Sequence, residues 1–263
     1  MFYGELNMKS SYKALIFDLD GTAMPVAFDA LPSDRVAEAV MRAQKVVKVS
    51  AATGRPITVC RQILKKLNLT QPCVISGGTQ IIDPQTEETL WEKRLSEEQV
   101  KQVVDVGKPY SFQILFTDEI YKHGVPAKDK KINGSERVIY FMDVEIKDEE
   151  AILSGIENVT DVVAHPVASW NHARIDIHIT HAEATKKHAI EILLDILKVD
   201  KEDVVGVGDS NNDLPLLNSV GYKVAMGNAT NKLKEIADYV APSVEEDGLA
   251  TVIEKVILKK PAN

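Results

Sequence analysis

The chain has 263 residues, 44% of them hydrophobic and 27% charged, with a formal net charge of −8. That is enough for one large domain or two modest ones around a sizeable core. The acidic balance, with no long Lys/Arg tract, argues against nucleic acid as a partner, and no apolar run approaches a membrane span.

Residues 1–11 read as a poorly ordered lead-in without the apolar core of a signal peptide, so a cytoplasmic location is expected. Cys60 and Cys73 show no CxxC spacing and fit buried thiols in a reducing compartment. "YKALIFDL" (12–19) is a near-continuous apolar run, as expected of a strand buried on both faces. A helix is expected over 31–44, started by Ser33/Asp34, then a strand and Gly turn over 45–55. Pro56 opens a second amphipathic helix to residue 69, and "PCVISGG" (72–78) is a third strand. The segment after residue 78 predicts a hairpin turning at Asp83-Pro84.

From there the rhythm changes. A helix over 96–106 is followed by four strand-like runs, "SFQILFT", "ERVIYFMDV", "DVVAHPVASW" and "ARIDIHIT", with one helix, "KDEEAILSGIE", among them. Strands that follow one another without helices between suggest an antiparallel sheet. After 181 the alternation returns: helix "EATKKHAIEILLDILK", strand "DVVGVGDS", then three further helices and one strand to residue 258. The pattern predicts a doubly wound, mostly parallel α/β domain, 1–87 and 181–263, interrupted by an α+β domain over 88–180.

Asp18 and Asp20 stand one residue apart at the end of the first strand. Alternation would point both to one side, where they repel unless a cation lies between them or one bends away. The pair is either an exposed turn or a site that holds a metal. In open α/β sheets, ligands bind beyond the carboxyl ends of the strands. Other polar elements gather there: Thr53-Gly54-Arg55 after the second strand, "GDSNND" with Asp209 and Asp213, and Lys186 near a helix start. Acids, a hydroxyl, a glycine amide and a lysine together suit phosphoryl transfer, with Mg²⁺ as the cation that offsets carboxylate–phosphate repulsion. On that reading one acid serves as nucleophile and the other as proton carrier.

The segments "DLDGT" (18–22), "ATGR" (52–55), "TKKHA" (185–189) and "GDSNND" (208–213), in that order, resemble the four motifs of the haloacid dehalogenase superfamily of phosphatases, Cof-like subgroup IIB. "AMGNA" (225–229) and "EEDGLA" (245–250) extend the resemblance, which spans about 12–83 and 181–257. It implies that Asp18 forms an aspartyl-phosphate. Asp20 would protonate the leaving oxygen and then activate water, its backbone carbonyl also meeting Mg²⁺. Thr53, Gly54, Lys186 and Asn212 would bind the phosphoryl group. Asp18 and Asp209 would be the Mg²⁺ carboxylates, and Asp213 a supporting acid behind them. Asp18 and Thr53 are only 35 residues apart, which leaves no room for a cap domain, whereas Thr53 and Lys186 are 133 apart, which does, and this implies the α+β cap type.

Two features depart from the subgroup: Gly77 of "SGGTQ" stands where it has Asn, and Lys186-Lys187 where it has Lys-Gly. The expected partner is a small phosphorylated metabolite, most simply a sugar phosphate, handled by a monomer or weak homodimer. A phosphosugar mutase and a non-catalytic metabolite-binding module are the alternatives. Trp170, His172, Arg174, Asp176 and His178 are either an ordinary polar sheet face or a surface that selects substrate.

Overall fold

The computed structural model describes residues 11–27, 29–117, 124–169 and 173–259. Residues 1–10 of the expected lead-in, and Trp170 and His172 of the proposed selecting surface, lie outside them. In chain order the principal elements are β1 (Ala14–Phe17), α1 (Asp34–Ala43), β2 (Lys48–Ala51), α2 (Ile57–Lys66), β3 (Cys73–Ile75), β4 (Gln80–Ile82) and β5 (Thr89–Glu92). Then come α3 (Glu97–Gly107), β6 (Gln113–Phe116), β7 (Val125–Pro126), β8 (Ile139–Glu145), α4 (Glu149–Glu157), β9 (Val162–Ala168) and β10 (Arg174–His181). The last run is α5 (Lys186–Leu197), β11 (Val204–Gly208), α6 (Leu214–Asn218), β12 (Tyr222–Ala225), α7 (Asn231–Ile236), β13 (Tyr239–Val240) and α8 (Gly248–Val252).

These elements form two compact units, one of the residues up to Trp91 and from Lys186 onward, the other Glu92–Thr185. In the first, a parallel sheet has the order β13-β12-β11-β1-β2. Every residue of β1 is buried, because a parallel strand covered on both faces must be apolar throughout. The chain leaves β1 toward β2 on one side and returns through β11 on the other. The strand order therefore reverses between β1 and β11, where open sheets of this kind form a crevice. An isolated parallel bridge, Ala52 to Val74, carries the pattern on from β2 to β3, and β3-β4-β5 form a small side sheet. The Ser33 hydroxyl caps α1 by accepting from Val36 N–H and also donates to Asp247 Oδ1 at 2.6 Å.

The second unit is an antiparallel sheet of order β7-β6-β8-β10-β9. Val100, Val103 and Val104 of α3 and Ile152 and Ile156 of α4 share one core with Ile114, Phe141, Ile177 and Ile179 of the sheet. Ser96 and Gln99 close a reciprocal capping box at the start of α3. Two strands that the sequence pattern did not signal, β7 and β13, are only two residues long, too short to show an alternation. The last helix also differs from expectation: beyond α8 it widens into a π turn over Ile253–Ile257, with Leu258 N–H reaching Ile253 O.

Candidate active site

β1 stops at Phe17, and the next residue, Asp18, still donates its N–H to Val207 O of β11 at 3.0 Å. There the chain turns. Leu19 O accepts from Ala23 and Met24, and Gly21 N–H donates to Met24 O at 2.7 Å. Asp20 thus leaves the strand alternation, and the repulsion expected between two acids on one strand face is resolved by separate partners. Asp18 meets Lys186, and Asp20 meets Arg55. Gly21 has φ +73°, and a Cβ there would stand 2.3 Å from Asp209 Oδ2, so backbone conformation and close approach both require glycine.

Lys186, the first residue of α5, is 6% exposed, yet its amine donates to Asp18 Oδ1 at 3.0 Å and Asp213 Oδ1 at 2.6 Å. Asp213 is fully buried, and its Oδ2 accepts the backbone N–H groups of Asp209 and Ser210 at 3.0 and 3.1 Å. Gly208 makes room for it: a Cβ at Gly208 would lie 2.5 Å from that of Asp213. Asp209 follows β11, accepts from the Thr22 hydroxyl at 3.3 Å, and stands 3.5 Å from the Asn228 amide nitrogen. That amide nitrogen donates to Gly21 O at 2.8 Å, tying the two loops together.

Burial pushes the Asp18 carboxyl well above the usual carboxylate range, although Lys186 pulls it the other way. Burial by itself would lower the Lys186 amine, but Asp18 and Asp213 outweigh it and hold the amine above the usual lysine range. Asp209 is pushed up to about 6, first by burial and then by the charge of Asp213. Oxygens of Asp18, Asp209 and Asp213 lie within 4.8 Å of one another, and the Lys186 amine pairs with Asp18 and Asp213. An all-oxygen set with surplus negative charge fits a hard divalent cation.

Of the remaining expected residues, Thr53 and Asn212 have side-chain partners of their own. Thr53 is buried after β2 and its hydroxyl accepts from Arg55 N–H at 3.1 Å. Gly54 is exposed, with no atom within 4 Å of where a Cβ would be. Asn212 is exposed and accepts from the Ser210 hydroxyl. Gly77, in the position noted above, has φ +70°, donates its N–H to Thr53 O at 3.1 Å, and faces open space. Sequence reasoning assigned no role to Thr22, Arg55 or Asn228. All three lie inside quoted motif segments, as the polar residues left over once the expected roles were assigned.

A profile of the family described as haloacid dehalogenase-like hydrolase matches residues 15–253. The chain is 26% identical over 270 residues to the putative phosphatase YxeH of Bacillus subtilis (strain 168), covering 95% of this chain and 100% of that protein. It is also 26% identical over 250 residues to the 5-amino-6-(5-phospho-D-ribitylamino)uracil phosphatase YcsE of the same organism, covering 94% and 96%. Among solved structures, a haloacid dehalogenase-like hydrolase from Bacteroides thetaiotaomicron shares the fold with a TM-score of 0.77 at 20% identity, over 94% of this chain and 100% of that one. The subclass IIB sugar phosphatase BT4131 shares it with a TM-score of 0.70 at 23% identity, over 92% and 98%. Among the described residues, no helix is long and apolar enough to cross a membrane.

Proposed function

The chain belongs to the haloacid dehalogenase-like hydrolases, as one of their Cof-like phosphatases, and on that premise we propose that it hydrolyses a small sugar phosphate with Mg²⁺ through an aspartyl-phosphate on Asp18. The observation that carries this reading is the buried amine of Lys186, held between Asp18 and Asp213 with Asp209 alongside.

The physical problem is repulsion. One pair of unit charges about 4 Å apart costs roughly 4 kcal/mol at an effective dielectric of 20, and a phosphate dianion facing a carboxylate about twice that. Lys186 offsets part of it from the side of Asp18. Mg²⁺ held by the carboxylates of Asp18 and Asp209 and the backbone carbonyl of Asp20 would supply the rest as a Lewis acid for the phosphoryl oxygens. Asp213 holds Lys186 and the Asp209 backbone in place. In this reading Thr53, Gly54 and Asn212 would supply further phosphoryl contacts.

The Asp18 carboxylate attacks phosphorus, the ester P–O bond breaks, and the leaving oxygen takes the proton of Asp20. In the second half, Asp20 takes a proton from water as the water oxygen attacks phosphorus. The acyl-phosphate bond breaks, releasing inorganic phosphate and restoring Asp18. The unit Glu92–Thr185 acts in this reading as the substrate-selecting cap. A small phosphorylated substrate is supported by the name of the 5-amino-6-(5-phospho-D-ribitylamino)uracil phosphatase, and the sugar-phosphate class by that of the sugar phosphatase BT4131.

The test is phosphate release from a panel of phosphorylated metabolites, with Mg²⁺ and after chelation. Release that needs Mg²⁺ and falls at least about a thousandfold in Asp18→Asn, as loss of the attacking group implies, is expected. Equal turnover in wild type and Asp18→Asn contradicts the reading.

A further inference from the structure

The mechanism above leaves one cation without a task. Arg55 follows Thr53-Gly54 and sits just ahead of α2, with its side chain only 13% exposed. Its Nε donates to Asp20 Oδ2 at 2.7 Å and its Nη2 to Asp20 Oδ1 at 2.5 Å, so both oxygens of the carboxylate are gripped by one planar fork. The same Nη2 donates to Ala27 O at 2.8 Å. Ala27 follows directly on the tight turn that carries Asp20, where Gly21 N–H meets Met24 O and Ala27 N–H meets Pro25 O. One guanidinium therefore fixes the acid and the chain just beyond its turn.

An exposed aspartate on a turn samples several rotamers, and a proton carrier that wanders by an ångström loses much of its effect. A two-pronged contact defines both the position and the plane of the carboxylate, which a point charge does not. The backbone around Arg55 is itself anchored: its N–H reaches the Thr53 hydroxyl and its carbonyl accepts from Ser76 N–H at 2.9 Å. The fork is thus mounted on the edge of the parallel sheet, next to β1.

We propose that Arg55 is a positioning residue for Asp20, holding its ionised carboxylate and the adjoining turn in the orientation from which Asp20 takes the proton of water in the second half of the reaction. This rests on the function proposed above and gives a part to a residue that reading left unused. Arg55 acts through Asp20, so its loss affects turnover and not substrate binding.

The test is steady-state phosphate release by Arg55→Ala, Arg55→Lys, Asp20→Asn and the Asp20→Asn/Arg55→Ala double variant, with thermal melts of each. Arg55→Ala is expected to lower kcat roughly tenfold to a hundredfold, the scale of a misplaced catalytic group, with KM within about twofold. Arg55→Lys, which keeps the charge but loses the fork, should fall between it and wild type. In the Asp20→Asn background, removal of Arg55 should cost nothing more. A rise in KM with kcat intact would mean that Arg55 holds substrate directly, and losses that multiply in the double variant would mean that it acts independently of Asp20. Either overturns the proposal, as does unchanged kcat. If Arg55→Ala does not fold, Arg55→Lys alone and in the Asp20→Asn background carries the same comparison. Failure here leaves wild-type phosphate release intact, whereas failure of the proposed function removes it.

Discussion

At the scale of single residues, Lys186 concentrates the chemistry. It is a buried amine whose two carboxylate partners are themselves buried, at 3.0 and 2.6 Å. Removing one member of such a group strands the others without a counter-charge, which typically costs about 3–5 kcal/mol. Lys186→Met is therefore expected to lower the free energy of unfolding by about that amount, measured by denaturant titration, together with a loss of phosphate release. Asp18, Asp209 and Asp213 were legible as candidates because each sits in a short acidic segment that is unusual at the end of a strand, whereas Lys186, an ordinary residue for an exposed helix, was singled out by the resemblance of "TKKHA" to a family motif. Their contacts were not legible. Nothing in the order of residues says that Asp213 turns its two oxygens to different partners, or that Arg55, 35 positions after Asp20, reaches back to grip it. Those depend on loops that meet only after the sheet has formed.

At the scale of elements, the inner strands of the parallel sheet were the most legible part, because continuous burial leaves a continuous apolar run, as in β1 and β11, whereas the two-residue β13 at its edge left none. The antiparallel sheet mixes its message. β10 runs Arg-Ile-Asp-Ile-His-Ile-Thr-His, and its polar positions are not simply solvated. Asp176 is buried and accepts from Asp143 N–H at 2.9 Å. His178 lies opposite His165 on β9 and Tyr140 on β8, its ring edge-on to the tyrosine at 4.9 Å. A register shift between Ile175 and Ile177 breaks the alternation there. Burial, aided by His165, lowers His178 to about 4. The unfolded imidazole titrates near 6.5, so between about 6.5 and 4 the unfolded chain binds a proton that the folded one refuses. Stability should therefore fall as the pH drops through that window and level off below it. Thermal melts across this range should show a smaller decline in His178→Phe than in wild type. An identical decline in both contradicts this account of the histidine.

At the scale of the whole molecule, the chain builds two cores, one around β1 and β11 and one between α3, α4 and the antiparallel sheet. The change of rhythm near residue 80 starts with the side sheet β3-β4-β5, in the first unit up to Trp91, and continues through the second unit, Glu92–Thr185, whose strands lack the helical crossovers that a parallel sheet needs. All the acids and both cations of the candidate site belong to the first unit, in the segments that follow β1, β2 and β11 and at the start of α5. The central claim is that phosphate passes through a covalent bond to Asp18. It is tested most directly by incubating Asp20→Asn, which lacks the group that activates water, with Mg²⁺ and p-nitrophenyl phosphate, whose leaving group departs without a proton from Asp20, quenching in acid, and mapping any retained phosphoryl group by peptide mass spectrometry. The account predicts one phosphoryl group on the peptide that contains Asp18, absent when Asp18→Asn is added. A phosphoryl group on any other residue, or phosphate release by wild type with no trapped species in the variant, would contradict it.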